Sequence, residues 1–583
     1  MKSWKEQLRD VKRILQADQS NEPLEEKPAV VDFVPPASWL EASDNSKDDT
    51  PSPGPKSSVI HGRRDPCKME RPPAAGIASV TTGASSERGG PGANNQKEDA
   101  ARSLPGDPQI PEGARSPTQN HTASTPVFRP HVDAGRSLAM PGWADAGSSL
   151  QHPEQQGGRT APMVVRVGVD FGTAFTKVAI RAGGDLVRVD WSAVTGDESP
   201  AGRYVIPGFV HRAPDGEYFW RRLAETDIQG NLKLPLIDMA GSDECPMATL
   251  AYLALVIRYA RAFLYRHPQV GRKLAVRSLR WELNVGCPTE PHKPQEVDAL
   301  FRRIARTAWQ LAGANHLQDS NIVAAWMSGE ADVGLETEPG VVPEFVAQIA
   351  GYLGSPQVSE GLHALIDIGA ATLDVATFNV VLPNDLDSSP RIPIFFSAVR
   401  PLGTHYLYHN RHSRLDLDFA WDDAAPVEPS DGFAKRYGKR PDDVDAVDSE
   451  FIDKVARCIA AVTDGTRTNS RGDPRSSAWS EGLPIFVTGG GSSCELYRRA
   501  VDAGELDLKQ RMNDLLSRFR FIERDPLGAK FPHFSIEIAG RLSVAIGLTE
   551  DAESIARVVP HREIGPIMRT VTERIDHMEL YGD

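Results

Sequence analysis

Three short segments, each an apolar strand running into a glycine-rich turn, recur in a fixed order over the last two thirds of this 583-residue chain. They read VRVGVDFGTAFTKVAI from Val165, ALIDIGAATLDVATF from Ala364 and IFVTGGGSSCELYRRA from Ile485. In the first two, the strand leads into an Asp, a Gly and small hydroxyl residues before a second apolar strand begins. That pattern predicts a β-hairpin with a tight polar tip. In the third, the strand ends in Gly489, Gly490 and Gly491, and a helix is expected from Ser493.

An Asp at a strand end, followed by Gly and Thr, suits a tip that embraces a polyphosphate. Glycine lets backbone N–H groups approach phosphate oxygens with no Cβ in the way, and hydroxyls such as those of Thr173 and Thr372 add donors. The Asp repels phosphate unless a cation lies between them. Asp170 and Asp367 therefore imply Mg²⁺ between opposed carboxylates, held through water because this ion dehydrates reluctantly. The glycine run at 489–491 suits close approach to a nucleoside or an α-phosphate.

Taken together, the segments resemble those of the ATPase superfamily of actin, sugar kinases and 70-kDa heat-shock chaperones, most closely the ATPase domain of the chaperones. Any one segment is common, but all three in order are specific. The resemblance implies an α/β, two-lobed actin-like ATPase fold of duplicated ribonuclease H-like domains, with ATP or ADP and Mg²⁺ in the cleft. It assigns Gly172, Thr173 and Ala174 to a first phosphate motif and Gly369, Ala370 and Ala371 to a second. Gly489, Gly490, Gly491 and Ser492 become the adenosine motif. Glu344, in VPEFVAQIAGYLGS, stands where the chaperones orient the attacking water. Lys233, in NLKLPL, stands at the distance from the first hairpin where they carry a γ-phosphate lysine. The catalytic set so implied is Asp170, Lys233, Glu344, Asp367 and Thr372, with Asp170 and Asp367 serving the metal. GRLSVAIGL from Gly540 resembles the second connecting helix, where Ala545 and Gly547 allow close packing, and Lys454 and Arg457 would flank adenine.

The chain also departs from the chaperones. Their second phosphate motif is a Gly triplet, whereas Ala370 and Ala371 follow Gly369 here. Alanine is tolerated at ordinary backbone angles and costly at positive φ, so this geometry bears on whether hydrolysis survives. The acidic residue at the start of the last connecting helix is replaced by Arg541.

Composition sets the domain plan. The first 162 residues hold 20 of the 45 prolines and little apolar periodicity, so residues 18–160 are expected to form a disordered arm. Ahead of it, Trp4, Leu8, Val11 and Leu15 share one face of a short amphipathic helix over residues 1–17. That helix is either transient on its own or a docking element for a protein partner. Lobe I is expected over 161–362, lobe II over 363–552 and a tail over 553–583. The acidic stretch from Asp416 to Glu450 reads as an inserted loop, and the apolar run from Met247 as a core helix between the lobes. After the last motif too few residues follow for the chaperones' peptide-binding domain.

A net charge of −14 argues against general nucleic-acid binding. The five cysteines show no CxxC pairing, which points to a reducing cytoplasm. No stretch reads as a membrane span. His405, His409 and His412 have helical spacing but lack carboxylate partners that would make them a metal site. The expected function is an ATP-binding, ATP-hydrolysing, chaperone-like switch whose lobe closure controls a partner bound to the lobes or the N-terminal helix. A non-hydrolysing scaffold or actin-like assembly protein is the alternative. A small-molecule kinase would need a substrate Asp and a sugar-lined pocket that the sequence does not reveal.

Overall fold

The first hairpin folds as its alternation predicts. β1 (Met163–Phe171), β2 (Phe175–Ala182) and β3 (Asp185–Arg188) form an antiparallel meander in a computed structural model of the chain. β4 (Leu279–Cys287) lies parallel to β1, and β5 (Gly340–Pro343) parallel to β4. The second hairpin starts the same construction again. β6 (Gly361–Ile368), β7 (Leu373–Val380) and β8 (Arg391–Arg400) form a meander, with β9 (Leu483–Thr488) parallel to β6 and β10 (Phe521–Glu523) parallel to β9. Each lobe thus carries one large sheet in the spatial order third, second, first, fourth, fifth strand, and lobe I adds a small three-stranded sheet of Phe209–Arg212, Tyr218–Phe219 and Asp227–Gly230. The described residues are 135–564, apart from 156–160, 201, 289–293, 330–332, 385–387, 418–426, 513–518 and 529–535. The amphipathic helix expected over 1–17 and the arm up to residue 134 lie outside them.

The lobe I sheet is covered by α1 (Met247–Arg266) and α2 (Pro294–Leu311). By length and composition α1 could cross a membrane, contrary to the expectation that no stretch could, yet 83% of its most apolar window is buried. It is the core helix of lobe I, not an element between the lobes, and its Tyr259 ring stacks on Trp191 with centroids 4.7 Å apart.

Two other helices join the lobes. α3 (Glu344–Leu353) follows β5 but packs on the lobe II sheet, with Tyr352 against Phe486 and Phe345 against Phe378. α6 (Ile536–Gly547) follows the lobe II strands but packs on β1 and β2, where a Cβ on Gly168 would come within 2.5 Å of Ala545 O. The helices cross where a Cβ on Gly547 would sit 1.8 Å from Ala347 O, so only glycine permits this approach. Gly547→Ala is expected to cost about 1–3 kcal/mol through overpacking. In thermal unfolding, Gly540→Ala is the control, because its added methyl would meet only Ser492 Oγ at 3.5 Å. Equal melting temperatures for the two variants would contradict this picture of the crossing.

Three boundaries expected from composition need correction. Residues 135–155 are packed rather than part of the arm: Gly142–Ser148 forms a 3₁₀ helix on α1, with Ala144 fully buried. A Cβ on Gly147 would fall 1.8 Å from Arg258 O, and Trp281 Nε1 donates to Leu150 O at 2.6 Å. Six apolar residues, Leu138, Met140, Trp143, Ala144, Ala146 and Leu150, let a polar segment adhere to a core that already exists. The stretch 416–450 is not all loop, since its described part holds a helix at Ser430–Tyr437 and the start of α5 (Pro441–Thr468). The tail begins later than residue 553, because Arg557–Val559 pairs in parallel with Arg391–Pro393 of β8.

Candidate functional site

The two hairpins present the same tip to one cleft. Gly172 N donates to Phe175 O at 3.1 Å in the first, and Gly369 N to Thr372 O at 2.9 Å in the second. Strand register pairs Asp170 with Lys177 and Asp367 with Asp374, each partner seven residues after its Asp. In lobe I the pair is an ion pair, Lys177 Nζ to Asp170 Oδ2 at 2.9 Å. In lobe II it is two carboxylates. Asp374 escaped the sequence reading, although the repeated spacing of seven was the signal that could have revealed it.

The cleft between these tips has a volume of about 600 Å³. Of the residues expected from the sequence, it is lined by Asp170, Gly172, Thr173, Ala174, Lys233, Glu344, Asp367, Gly369, Ala370, Thr372, Gly489, Gly490 and Gly491. Ala371 and Ser492 do not line it. Ala371 is buried, and Ser492 Oγ donates to Gly489 O at 2.8 Å. Lys454 and Arg457 do not line it either, and Lys454 pairs with Glu450 on the surface of α5. Lys177, Gln348, Asp374, Thr404, Arg541 and the segment Arg136–Leu138 are also part of the wall.

The glycine run at 489–491 serves packing more than open approach. Gly489 has φ +86°, and a Cβ there would lie 2.2 Å from Asp367 Oδ1. A Cβ on Gly491 would meet Ile368 Cγ2 at 2.4 Å, while Gly490 alone of the three faces open space. At the second tip, neither Ala370 nor Ala371 has positive φ, so their methyls cost no backbone strain. The need for glycine falls instead on Gly403, whose Cβ would lie 2.5 Å from Ala370 O. From there α4 (Thr404–Arg414) begins, with Thr404 N donating to Gly369 O and His405 N to Ala370 O.

Lys233, 7% exposed, reaches Glu344 Oε1 at 2.5 Å across the floor. Burial alone would lower its ammonium, but the charges of Glu344, Asp170 and Asp374 outweigh that and hold it above its ordinary value. Burial, together with the charges of Glu344 and Asp170, pushes Asp367 up to about 6. Burial and the Asp367 charge push Asp374 up to about 8. Asp367 Oδ1, Asp374 Oδ1 and Gln348 Oε1 are buried without a hydrogen-bond partner, a costly arrangement unless something positive or donating joins them.

Hard, unpartnered oxygens of this kind fit Mg²⁺. Among the described residues no three His, Cys, Asp or Glu side chains converge to ligate an ion directly, so an ion held here would need water or phosphate oxygens to complete its shell. The raised carboxyls also predict a pH effect in the cation-free protein. Their folded-state pKa values exceed the ordinary carboxylate value, so the stability they confer is present in full below about pH 4 and is lost as pH rises through 6 and then 8. Melting temperatures measured with chelator between pH 5 and 8 should fall, and Asp374→Asn should flatten the slope. A flat wild-type profile would contradict it.

Fold and site define a two-lobed α/β protein built from two repeated sheets, with paired Asp hairpins facing one interlobe cleft. No protein-family model matches the chain, and no curated protein does. Solved structures that it is similar to include the ethanolamine utilization protein EutJ from Carboxydothermus hydrogenoformans, at 15% identity over 70% of this chain and 94% of that one, TM-score 0.28. A non-polymerisable quadruple mutant of pCBH ParM matches at 12% identity over 67% and 98% of the two chains, TM-score 0.34. Apo pSK41 ParM matches at 12% over 66% and 96%, TM-score 0.32. The two lobes repeat both the sheet order and the register of the Asp hairpin.

Proposed function

We propose that the cleft binds ATP with Mg²⁺ and that the chain is a nucleotide-dependent switch, chaperone-like in action, whose lobe closure controls a protein partner in a reducing cytoplasm. One observation carries the nucleotide reading: two hairpins of the same register, one from each lobe, bring Asp170 and the Asp367–Asp374 pair to a single cleft with buried, unpartnered carboxylate oxygens. Bound there, the cation would neutralise the phosphates and the carboxylates around it.

The chain's own groups would do the rest. Backbone N–H groups at the two tips and the Thr173 and Thr372 hydroxyls would donate to phosphate oxygens. Lys233, fixed by Glu344, would bring positive charge to the terminal phosphate, and Glu344 or Asp367 would orient a water for attack. Ordinary backbone angles at Ala370 and Ala371 remove the conformational objection to turnover. Loss of the terminal phosphate would release one tip, and the crossing at Gly547 and Ala347 is where the lobes would pivot. A partner on the lobes or on the chain N-terminal to them would read that change.

Phosphate release by the full chain tests the reading, together with hydrogen exchange at the two tips. Turnover with Mg²⁺ that drops at least tenfold in Glu344→Gln, with both tips protected by ATP, supports it. Binding without turnover would favour the scaffold reading, and ATP-dependent sedimentation would redirect it to assembly.

A further inference from the structure

The hairpins and their acids leave one charged corner of the cleft without a role. Gly540, Arg541 and Val544 line the cleft from α6, whose Leu542 and Ala545 pack instead with Ala179 of β2. Gly540 sets the lining face beside the third glycine turn, since a Cβ on it would meet Ser492 Oγ at 3.5 Å. Ser492 Oγ donates to Gly489 O, and a Cβ on Gly489 would fall 2.2 Å from Asp367 Oδ1 at the second tip. Arg541 is thus a half-buried arginine beside the turn that suits a nucleoside or an α-phosphate.

Lobe I adds Asp197 to the same wall. This residue is exposed and accepts from Ser199 N at 2.9 Å, while a Cβ on Gly202 would lie 1.8 Å from its Oδ2. Hydrogen bonding to Ser199 holds its carboxyl below the ordinary value, and the charge of Arg541 adds to that. Among the described residues, neither Arg541 nor Asp197 belongs to an ion pair. The other charges of the wall are placed differently. Lys177 is paired with Asp170 and Lys233 with Glu344. Asp367 and Asp374 stand opposite each other in register, and Arg136 lies over the Phe209 ring.

Magnitudes decide what an entering anion does to Arg541. An exposed carboxylate at a distance is worth under about 5-fold in an equilibrium, whereas a charge-assisted hydrogen bond to phosphate is worth about 10-fold or more. The planar guanidinium also matches phosphate oxygens with two parallel donors. We propose that Arg541 is an exchange residue. In the empty cleft its charge is balanced by Asp197, and in the nucleotide complex its guanidinium donates to a phosphate common to ATP and ADP. Asp197 is then the competitor that nucleotide displaces. This rests on the ATP reading above.

Calorimetric titrations of the full chain with Mg·ATP and Mg·ADP test it on wild type, Arg541→Gln, Arg541→Lys, Asp197→Asn and the Arg541→Gln/Asp197→Asn double variant. Arg541→Gln is expected to lose about 10-fold or more in affinity, by the same factor for both nucleotides. Arg541→Lys, which keeps the charge, should recover part of that loss, which a packing role on α6 would not give. Asp197→Asn is expected to bind about 2–5-fold more tightly, and the gain should vanish in the double variant. A loss confined to ATP would put the arginine on the terminal phosphate and overturn the assignment. Arg541→Gln binding both nucleotides as wild type does, or an Asp197→Asn gain that is absent or that persists without Arg541, overturns the exchange and leaves the ATP reading standing. A wild-type chain that binds neither nucleotide overturns both.

Discussion

Asp367→Asn is expected to weaken Mg·ATP binding by about 10–100-fold, the usual cost of removing a group that holds a metal through its outer shell. The side chain sits at the end of β6 between Gly489, the Asp374 pair and the cleft, with Oδ1 buried and unpartnered. Asparagine keeps the volume and removes the charge. It also takes away one buried charge and with it the repulsion that, after burial, raises Asp374, so the cation-free variant should melt no lower than wild type above pH 7. Binding and stability would then move in opposite directions. Loss of both together would mean that Asp367 is a structural acid whose unpartnered oxygen has another explanation. Calorimetric titration and melting curves on the same preparations decide between them.

The second large effect concerns the support behind the second tip. Arg411 on α4 grips Asp448 on α5 with two bonds of 2.7 and 2.8 Å, and neither side chain is exposed. Ser430 Oγ donates to the same carboxylate at 2.8 Å, and Arg411 Nη1 donates to Glu428 O at 2.8 Å. Arg411→Ala strands a buried carboxylate and is expected to cost about 3–5 kcal/mol, whereas Arg411→Met with Asp448→Leu should recover most of it. Lys454→Ala, which breaks a half-exposed pair with Glu450, should cost under about 1 kcal/mol. Because α4 begins by hydrogen bonding to Gly369 and Ala370, the single Arg411 variant should also bind nucleotide more weakly at temperatures where it remains folded. A loss below about 1 kcal/mol in denaturant unfolding would show that the pair is not closed to water.

Much of the site was legible because its logic is local. A strand, an Asp, a Gly and a hydroxyl residue within eight positions define a hairpin tip wherever the lobes go, so Asp170, Gly172, Thr173, Asp367, Gly369 and Thr372 could be read directly. Gly547 was legible for a similar reason, as a small residue on a helix expected to cross another. What escaped was decided across the fold. Asp374 matters only because register sets it opposite Asp367, and Gln348 only because α3 crosses from one lobe to the other. The segment 135–155 has the composition of a linker, and no local pattern shows that α1 and Trp281 offer it a surface. Ser492 was misplaced in the wall because the turn after Gly491 directs its hydroxyl back to Gly489.

The proposed switch requires one Mg²⁺-bound nucleotide gripped between tips from two lobes. Calorimetric titration of the full chain with ATP, with and without Mg²⁺, tests it most directly. Saturable one-to-one binding that needs the cation is the predicted result. No binding of ATP or ADP in either condition would contradict the account and leave the cleft a retained fold without its ligand.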